Sequence, residues 1–343
     1  VSLGAAATDA DNLALLNDIV GAQSLADVAS VAQLDNLARI ANALQSLAAT
    51  GVSTLQLADY AAIGLSGVTA DNLPAVQAAI GAAANDGSQT STVAALQNLI
   101  DAAASAAANA LGTLSAAAQN NTAVSSGLAE AVFAAAGVSG VNSLNLSAIQ
   151  SALDSNAVTG NQANTTAQVQ ALVDAYAVVL HNADDATAVN ASENDYQRLG
   201  VTGVNSASKV SLLGDVIDTL AGADVSTVAQ IQTLADAVAA VMSGAAGGTG
   251  PSLAQLQALG ITGVSADQLP AVLASIAATD DTGAGVAQLS QLQTVVNAAV
   301  NAAANALGTL SAAAQANTAV SSGLGEAVFA AAGVSGVNSL NLS

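Results

Sequence analysis

The strongest constraint on how this chain can fold is a ten-residue pattern found in five places: a large residue, three positions, Gly, an aliphatic residue, Ser or Thr, Gly, Val, and a residue of helix-capping type. It runs from Tyr60 through Gly64 and Gly67 to Thr69, and returns at Phe133 to Asn142, Tyr196 to Asn205, Leu256 to Ser265 and Phe329 to Asn338. A glycine just past a helix end adopts the left-handed conformation at little steric cost, and in a Schellman cap the residue four before it touches the residue after it. Of the chain's 3 Tyr and 2 Phe, four stand at that anchor position: Tyr60, Phe133, Tyr196 and Phe329. The pattern predicts a helix, a tight turn and a second helix. Its joint glycines are Gly64, Gly67, Gly137, Gly140, Gly200, Gly203, Gly260, Gly263, Gly333 and Gly336. Thr69, Asn142, Asn205, Ser265 and Asn338 are the expected N-caps, each with a Val before it to staple onto the new helix. Pro74 and Pro270 then fall late in the first turn, a tension that a 3₁₀ start or a helix beginning near Asp71 and Asp267 would relieve.

A longer period overlies the joints. Residues 104–147 return at 300–343 with four differences (Ala104/Val300, Ser105/Asn301, Asn120/Ala316, Ala129/Gly325), an offset of 196. The joints keep that offset, Gly64 to Gly260 and Gly137 to Gly333, with a worn copy at Gly4 answering Gly200. Such periods are read before any domain boundary. The expected fold is all-α: tandem helical-bundle modules of about three helices each in a 196-residue super-repeat. The modules span 1–63 (degenerate), 64–136, 137–199, 200–259 and 260–332, with 333–343 opening another.

Within modules, helical periodicity is plain. Leu13, Leu16 and Val20 mark one helix, and Val28 to Leu47 a longer one that Gly51 stops. The longest steps through Val93, Leu96, Ile100, Ala103, Ala107, Ala110 and Leu114, a heptad seam made largely of Ala, with Gly112 expected to end or kink it. The third module is expected to carry a helix over 169–180, then an exposed loop over 181–194. Residues 244–250 are the one glycine-rich insert with a flexible composition. The 52% hydrophobic content is mostly small: Trp and Cys are absent and aromatics make up 1%. Alanine seams let helices approach to the short end of the usual ~8–10 Å, so many shallow contacts replace a core of large side chains.

Charge narrows the classes of partner. Against 24 acidic residues stand Arg39, Arg198 and Lys209, a formal net charge of −21. Nothing could neutralise phosphates, which argues against nucleic acid, and anionic membrane surfaces are disfavoured alike. No uninterrupted bulky apolar span predicts membrane insertion. His181 is the only histidine, so no His-based metal cluster or His-paired triad can form. No nucleophile elbow or phosphate loop is present, so no enzymatic activity and no cofactor is expected. The acidic pairs Asp9/Asp11 and Asp280/Asp281 carry charge suited to Ca²⁺ but lack EF-hand spacing, and caps or solvated loops are the preferred reading. An isopeptide crosslink at Lys209 is disfavoured, its position being Leu in neighbouring repeats.

The strings Gly-Ile-Thr-Gly-Val-Ser-Ala-Asp-Gln-Leu-Pro-Ala-Val (260–272) and Val-Ser-Thr-Val-Ala-Gln-Ile-Gln-Thr-Leu-Ala-Asp-Ala-Val (225–238) resemble repeats of very large, Ala-rich, acidic bacterial surface and adhesin-like proteins. The resemblance covers nearly the whole chain and carries no catalytic residue. It implies export to the cell surface or beyond, and an extended extracellular array. The chain departs from calcium-binding adhesins in lacking their nonapeptides. Its ends, Val1 and a Ser343 whose counterpart Ser147 runs on, lead us to expect a window onto a longer protein. The expected role is a structural repeat that self-associates with identical chains or neighbouring modules into a stalk, sheath or filament. The alternative is an adhesin module presenting loops such as 85–92 or 244–251 to an unknown host or matrix ligand.

Overall fold

The computed structural model describes residues 10–83, 89–185, 189–317 and 324–342. These residues form fifteen α-helices and three 3₁₀ turns, with no strand among them. The chain divides into two compact units, Val1–Val173 and Asp174–Ser343.

In the first unit, α1 (Ala10–Ala22) and α2 (Val31–Thr50) lead to the short α3 (Leu57–Ala62), which ends at the first joint. Then come α4 (Leu73–Gly81), α5 (Val93–Asn120) and α6 (Glu130–Ala135), which ends at the second joint. After it come α7 (Leu146–Leu153), a 3₁₀ turn at Gly160–Gln162, and α8 (Thr166–Asp184), within which the division between units falls. The second unit holds α9 (Glu193–Arg198), α10 (Ala207–Ile217), α11 (Val228–Ala245), α12 (Leu253–Ala258), α13 (Leu269–Ala277), α14 (Leu289–Gln315) and α15 (Glu326–Ala331), with 3₁₀ turns at Gly222–Val225 and Ala284–Val286. Each stretch between joints therefore carries three α-helices. The bounds of α12, α13 and α15 lie 196 residues after those of α3, α4 and α6.

The long helices start where local chemistry says they should. Ser30, Thr92 and Thr227 sit in extended conformation and accept the backbone N–H three residues on, satisfying a donor that the helix itself cannot. Once started, α5 buries one face: Leu96, Ile100, Ala103, Ala107, Ala110 and Leu114. Gly112 does not end it, and neither does Gly308 end α14, because an exposed mid-helix glycine costs only about 1 kcal/mol and twenty-odd flanking residues outweigh it. Of the segment 181–194, expected as loop, the first four residues extend α8, which carries an exposed His181 beside the buried Asn182 and Ala183 in its last turn, and α9 starts at Glu193.

The glycine-rich stretch 244–250 is folded back as a cap. Gly247 has φ +77°, Gly248 N–H donates to the Ser243 carbonyl at 2.8 Å, and Gly247 N–H donates to the Gly244 carbonyl at 3.1 Å. Its equivalent is Gly51, which closes α2 at φ +72°. The loop expected over 85–92 lies partly outside the described residues.

Candidate functional site

The site the sequence singles out is the joint. In each of the five copies both glycines take positive φ, between +77° and +83°. Two backbone bonds close each helix end. Leu65 N–H donates to the Tyr60 carbonyl at 3.0 Å, and Gly64 N–H donates to that of Ala61 at 3.1 Å. The same pair joins Val138 to Phe133 and Gly137 to Ala134, Val201 to Tyr196 and Gly200 to Gln197, Ile261 to Leu256 and Gly260 to Gln257, and Val334 to Phe329 and Gly333 to Ala330, all at 2.9–3.0 Å. This is the Schellman geometry, with the large residue at C3. Tyr60, Phe133, Tyr196 and Leu256 are buried there, whereas Phe329 is half-buried.

The restart differs from the expected one. Thr69, Asn142 and Ser265 do not cap the following helix; a further turn intervenes, and α4, α7 and α13 begin at Leu73, Leu146 and Leu269. Pro74 and Pro270 thereby each occupy the second helical position, within the first turn, where a missing N–H is harmless. In the third joint Ser206, one residue after Asn205, is the cap.

Side chains lock the intervening turn. Asn72 accepts from Thr69 N–H at 2.7 Å and donates to the Gly67 carbonyl at 2.8 Å. Asn145 and Asn341 do the same to Asn142 and Gly140, and to Asn338 and Gly336. In the third joint Lys209 takes over, its Nζ donating to the Gly203 carbonyl at 2.9 Å and to Asn205 Oδ1 at 2.8 Å. That gives Lys209 a positioning role.

A glutamine from the next long helix then clamps each of the first four joints. Gln97 Oε1 accepts from Ser66 N–H at 2.9 Å, while its Nε2 donates to the Ser66 carbonyl at 3.1 Å. Gln170 holds Ser139 this way (2.8 and 3.2 Å), Gln232 holds Thr202 (2.8 and 3.2 Å) and Gln293 holds Thr262 (3.1 and 3.2 Å). The amide imitates one rung of a β-ladder, satisfying a donor and an acceptor that the turn leaves open.

Consecutive joints also meet within the first unit. Gly137 lies against the start of α4 so closely that a Cβ there would fall 2.7 Å from Ala75 N and 3.1 Å from Pro74 Cβ. Above this contact the Thr166 hydroxyl, 4% exposed, is shared between the carbonyls of Ala136, at 2.7 Å, and Asp71. In the second unit Gly333 faces Pro270 and Ala271 more loosely, at 3.5–3.6 Å from an added Cβ.

Ionisable groups near the joints are structural in character. Burial pushes the Tyr60 phenol up to about 12 and raises that of Tyr196, so both stay neutral at physiological pH. Tyr176, the one ring outside a joint, donates from its buried hydroxyl to the Val225 carbonyl at 2.7 Å. Asp59 experiences burial that raises its pKa, outweighed by the Gln56 N–H and the Arg39 guanidinium, which bring it below the usual carboxylate range. Asp218 is raised, first by burial and then by the neighbouring Asp215.

Only one of the two acidic pairs lies among the residues whose side chains are described. Asp9 lies outside the described residues, as does the side chain of Asp11. Asp280 accepts from the Thr282 N–H at 2.8 Å and from the Thr282 hydroxyl, contacts that lower its pKa in an exposed turn beside Asp281. Among the described residues no three His, Cys, Asp or Glu side chains gather as a metal site, and no helix is long and apolar enough to cross a membrane.

Crevices flank the seam between the first two joints. One of about 380 Å³ is lined by Thr69, Asp71, Asn72, Leu111 and Ser115; another of about 620 Å³ runs along Pro74, Gln77, Gly137, Thr166 and Gln170. Apart from Asp71, these linings offer amides, hydroxyls and methyls. The glutamine clamp, Thr166 and the close approach at Gly137 were not read from the sequence. The clamp left one signal: the fifth residue of each long helix, counted from Val93, Thr166, Val228 or Leu289, is Gln. The chain matches no protein-family model, no curated protein and no solved structure.

Proposed function

We propose that this chain is a structural repeat segment of a secreted bacterial surface protein, building a stalk, sheath or extracellular filament by stacking modules and chains. The observation that carries this reading is the use made of the recurring residues. Glycines, anchors, Asn72-type amides and the clamping glutamines are engaged in closing one module and seating the next, the organisation expected of a quasi-one-dimensional array in which each repeat is stabilised by its neighbours. An enzyme would instead hold convergent polar groups with shifted pKa values in a cleft.

A surface location agrees with a net charge of −21, which keeps repeated apolar modules soluble and repels non-specific partners, and with the absence of cysteine. The adhesin alternative depends on exposed loops, yet the 244–251 segment is engaged in capping α11. Electron microscopy of the native material tests the proposal. A regular polymer whose axial repeat matches a whole number of modules is the expected result, and isolated rods capped by another domain would contradict it.

A further inference from the structure

The near-duplicate segments 104–147 and 300–343 carry almost the same residues into two different surroundings. In the first unit, α5 is covered by the next elements of the chain, α7 and the 3₁₀ turn at Gly160–Gln162, and the turn after α6 is held by Gln170 of α8. Leu111 is 9% exposed there, Val138 5%, and Leu114, Ala118 and Phe133 are buried. In the second unit the equivalent Leu307 is 48% exposed and Val334 44%; Ala314 is exposed, and Leu310 and Phe329 are half-buried. Leu144 and Leu340 are 90% exposed in both copies, so the change does not extend to every position of the repeat.

The polar fittings of the cover are preserved as well. On α5, the Ser115 hydroxyl donates to the Gly160 carbonyl at 2.9 Å, and Gln119 Oε1 accepts from Gly160 N–H at 3.3 Å. The approach is close enough that a Cβ on Gly160 would stand 2.8 Å from the Ser115 carbonyl oxygen. Beyond the helix end, Asn121, left-handed at φ +51°, donates to Asn156 at 2.7 Å. On α14 the counterparts Ser311 and Gln315 stand exposed, and Asn317 keeps the left-handed conformation at φ +53°.

We propose that the face formed by α14 and α15 is a docking surface for one kind of partner: a helical module of the type seen at residues 146–173. Its chemistry is specified by the cover on α5: an Ala/Ile/Leu-faced helix like α7, and a glycine in a 3₁₀ turn whose backbone meets the Ser and Gln of the long helix. An Asn that reaches the left-handed residue completes it. Burying side chains such as Leu307, Val334 and Phe329 supplies the drive, at roughly 25 cal/mol per Å² of apolar surface. The Gly160 contact and the Asn pair set the register. This inference rests on the stacking reading above and names the partner.

The test uses the full chain carrying Leu307→Cys, a unique thiol in a protein without cysteine, with and without a copy of residues 148–196 joined after Ser343. Leu111→Cys in the same chain marks the rate of a covered thiol. Alkylation of the Leu307→Cys thiol is expected to fall at least tenfold on extension, towards the Leu111→Cys rate. Replacing the appended glycine that corresponds to Gly160 by Val should restore fast reaction. Equal rates with and without the extension would overturn the proposal. So would a Leu307→Cys thiol protected in the unextended chain in a concentration-dependent way, since a second copy would then be the occupant. Failure here leaves the filament reading standing, because chains can associate through other faces; capped rods under the microscope would remove that reading while leaving a protected thiol unexplained by it.

Discussion

The side-chain amide of Gln97 holds the main chain of Ser66 at both of its polar groups, accepting from the N–H at 2.9 Å and donating to the carbonyl at 3.1 Å across 31 residues of sequence. Because the contact is bidentate and is made at four joints, it fixes the angle at which each long helix returns to its joint. Gln97→Ala should cost about 1–2 kcal/mol, two exposed hydrogen bonds at about 0.5–1.5 kcal/mol each with some water compensation. Gln97→Glu keeps the acceptor but sets a carboxylate against the Ser66 carbonyl and against Asp101 Oδ1, which Gln97 Nε2 meets at 2.7 Å, so it should cost at least as much as Gln97→Ala. Denaturant titration of the three proteins checks the order.

The joint glycines are not equivalent. Gly64 has φ +82° with open space where a Cβ would go, whereas Gly137 has φ +77° and Ala75 N at 2.7 Å from that position. Gly64→Ala should cost about 1–2 kcal/mol, the left-handed penalty alone. Gly137→Ala and Gly137→Val should cost more than about 3 kcal/mol, because the start of α4 must also move. Unchanged melting of Gly137→Val would show that the cap is misassigned.

Thr166→Val replaces the buried hydroxyl by a methyl of the same shape and leaves the Ala136 and Asp71 carbonyls facing it. The expected loss is about 1–3 kcal/mol. Thr166→Ser, which keeps the hydroxyl, should recover most of it, a distinction readable by thermal melting.

Two aspartates should respond to pH with opposite sign. Asp59 has a folded pKa below its unfolded value, so its stabilising contribution is present above the ordinary carboxylate pKa and is lost as pH falls through the lowered one. Asp218 has a raised pKa; its ionised form disfavours the fold at neutral pH, and the cost disappears once pH falls below the unfolded value. Asp218 also caps the C-terminus of α10, where negative charge opposes the helix dipole. Asp59→Asn should therefore lower the melting temperature at pH 7 and Asp218→Asn raise it, with both differences shrinking towards pH 3.

Those features written in local spacing were legible in advance. The Schellman positions follow from a glycine, an aliphatic residue and a ring at fixed offsets, and the Ala seam of α5 from a period of 3 and 4; both depend on residues within one or two turns of each other. The restart of the second helix was not legible, because Thr69 and Asn142 are good caps in isolation, while Asn72 and Asn145, three residues on, accept from the backbone N–H of Thr69 and Asn142 and reach back to the Gly67 and Gly140 carbonyls, holding a turn ahead of the helix. The glutamine clamps were hidden because they span 30–31 residues and use a residue common on every face of these helices. Gly160 stands in no local pattern of the sequence; only its distance to Ser115 shows that it is a contact point.

The recurring joint is a folded corner that fixes how one helix passes into the next. Amide hydrogen exchange at Leu65, Val138, Val201 and Ile261 tests it most directly, since each of these N–H groups is committed to the carbonyl of Tyr60, Phe133, Tyr196 or Leu256. Protection at all four comparable to that of buried amides in α5 is the expected result. Exchange at the rate of an unstructured peptide, with α5 still protected, would contradict it.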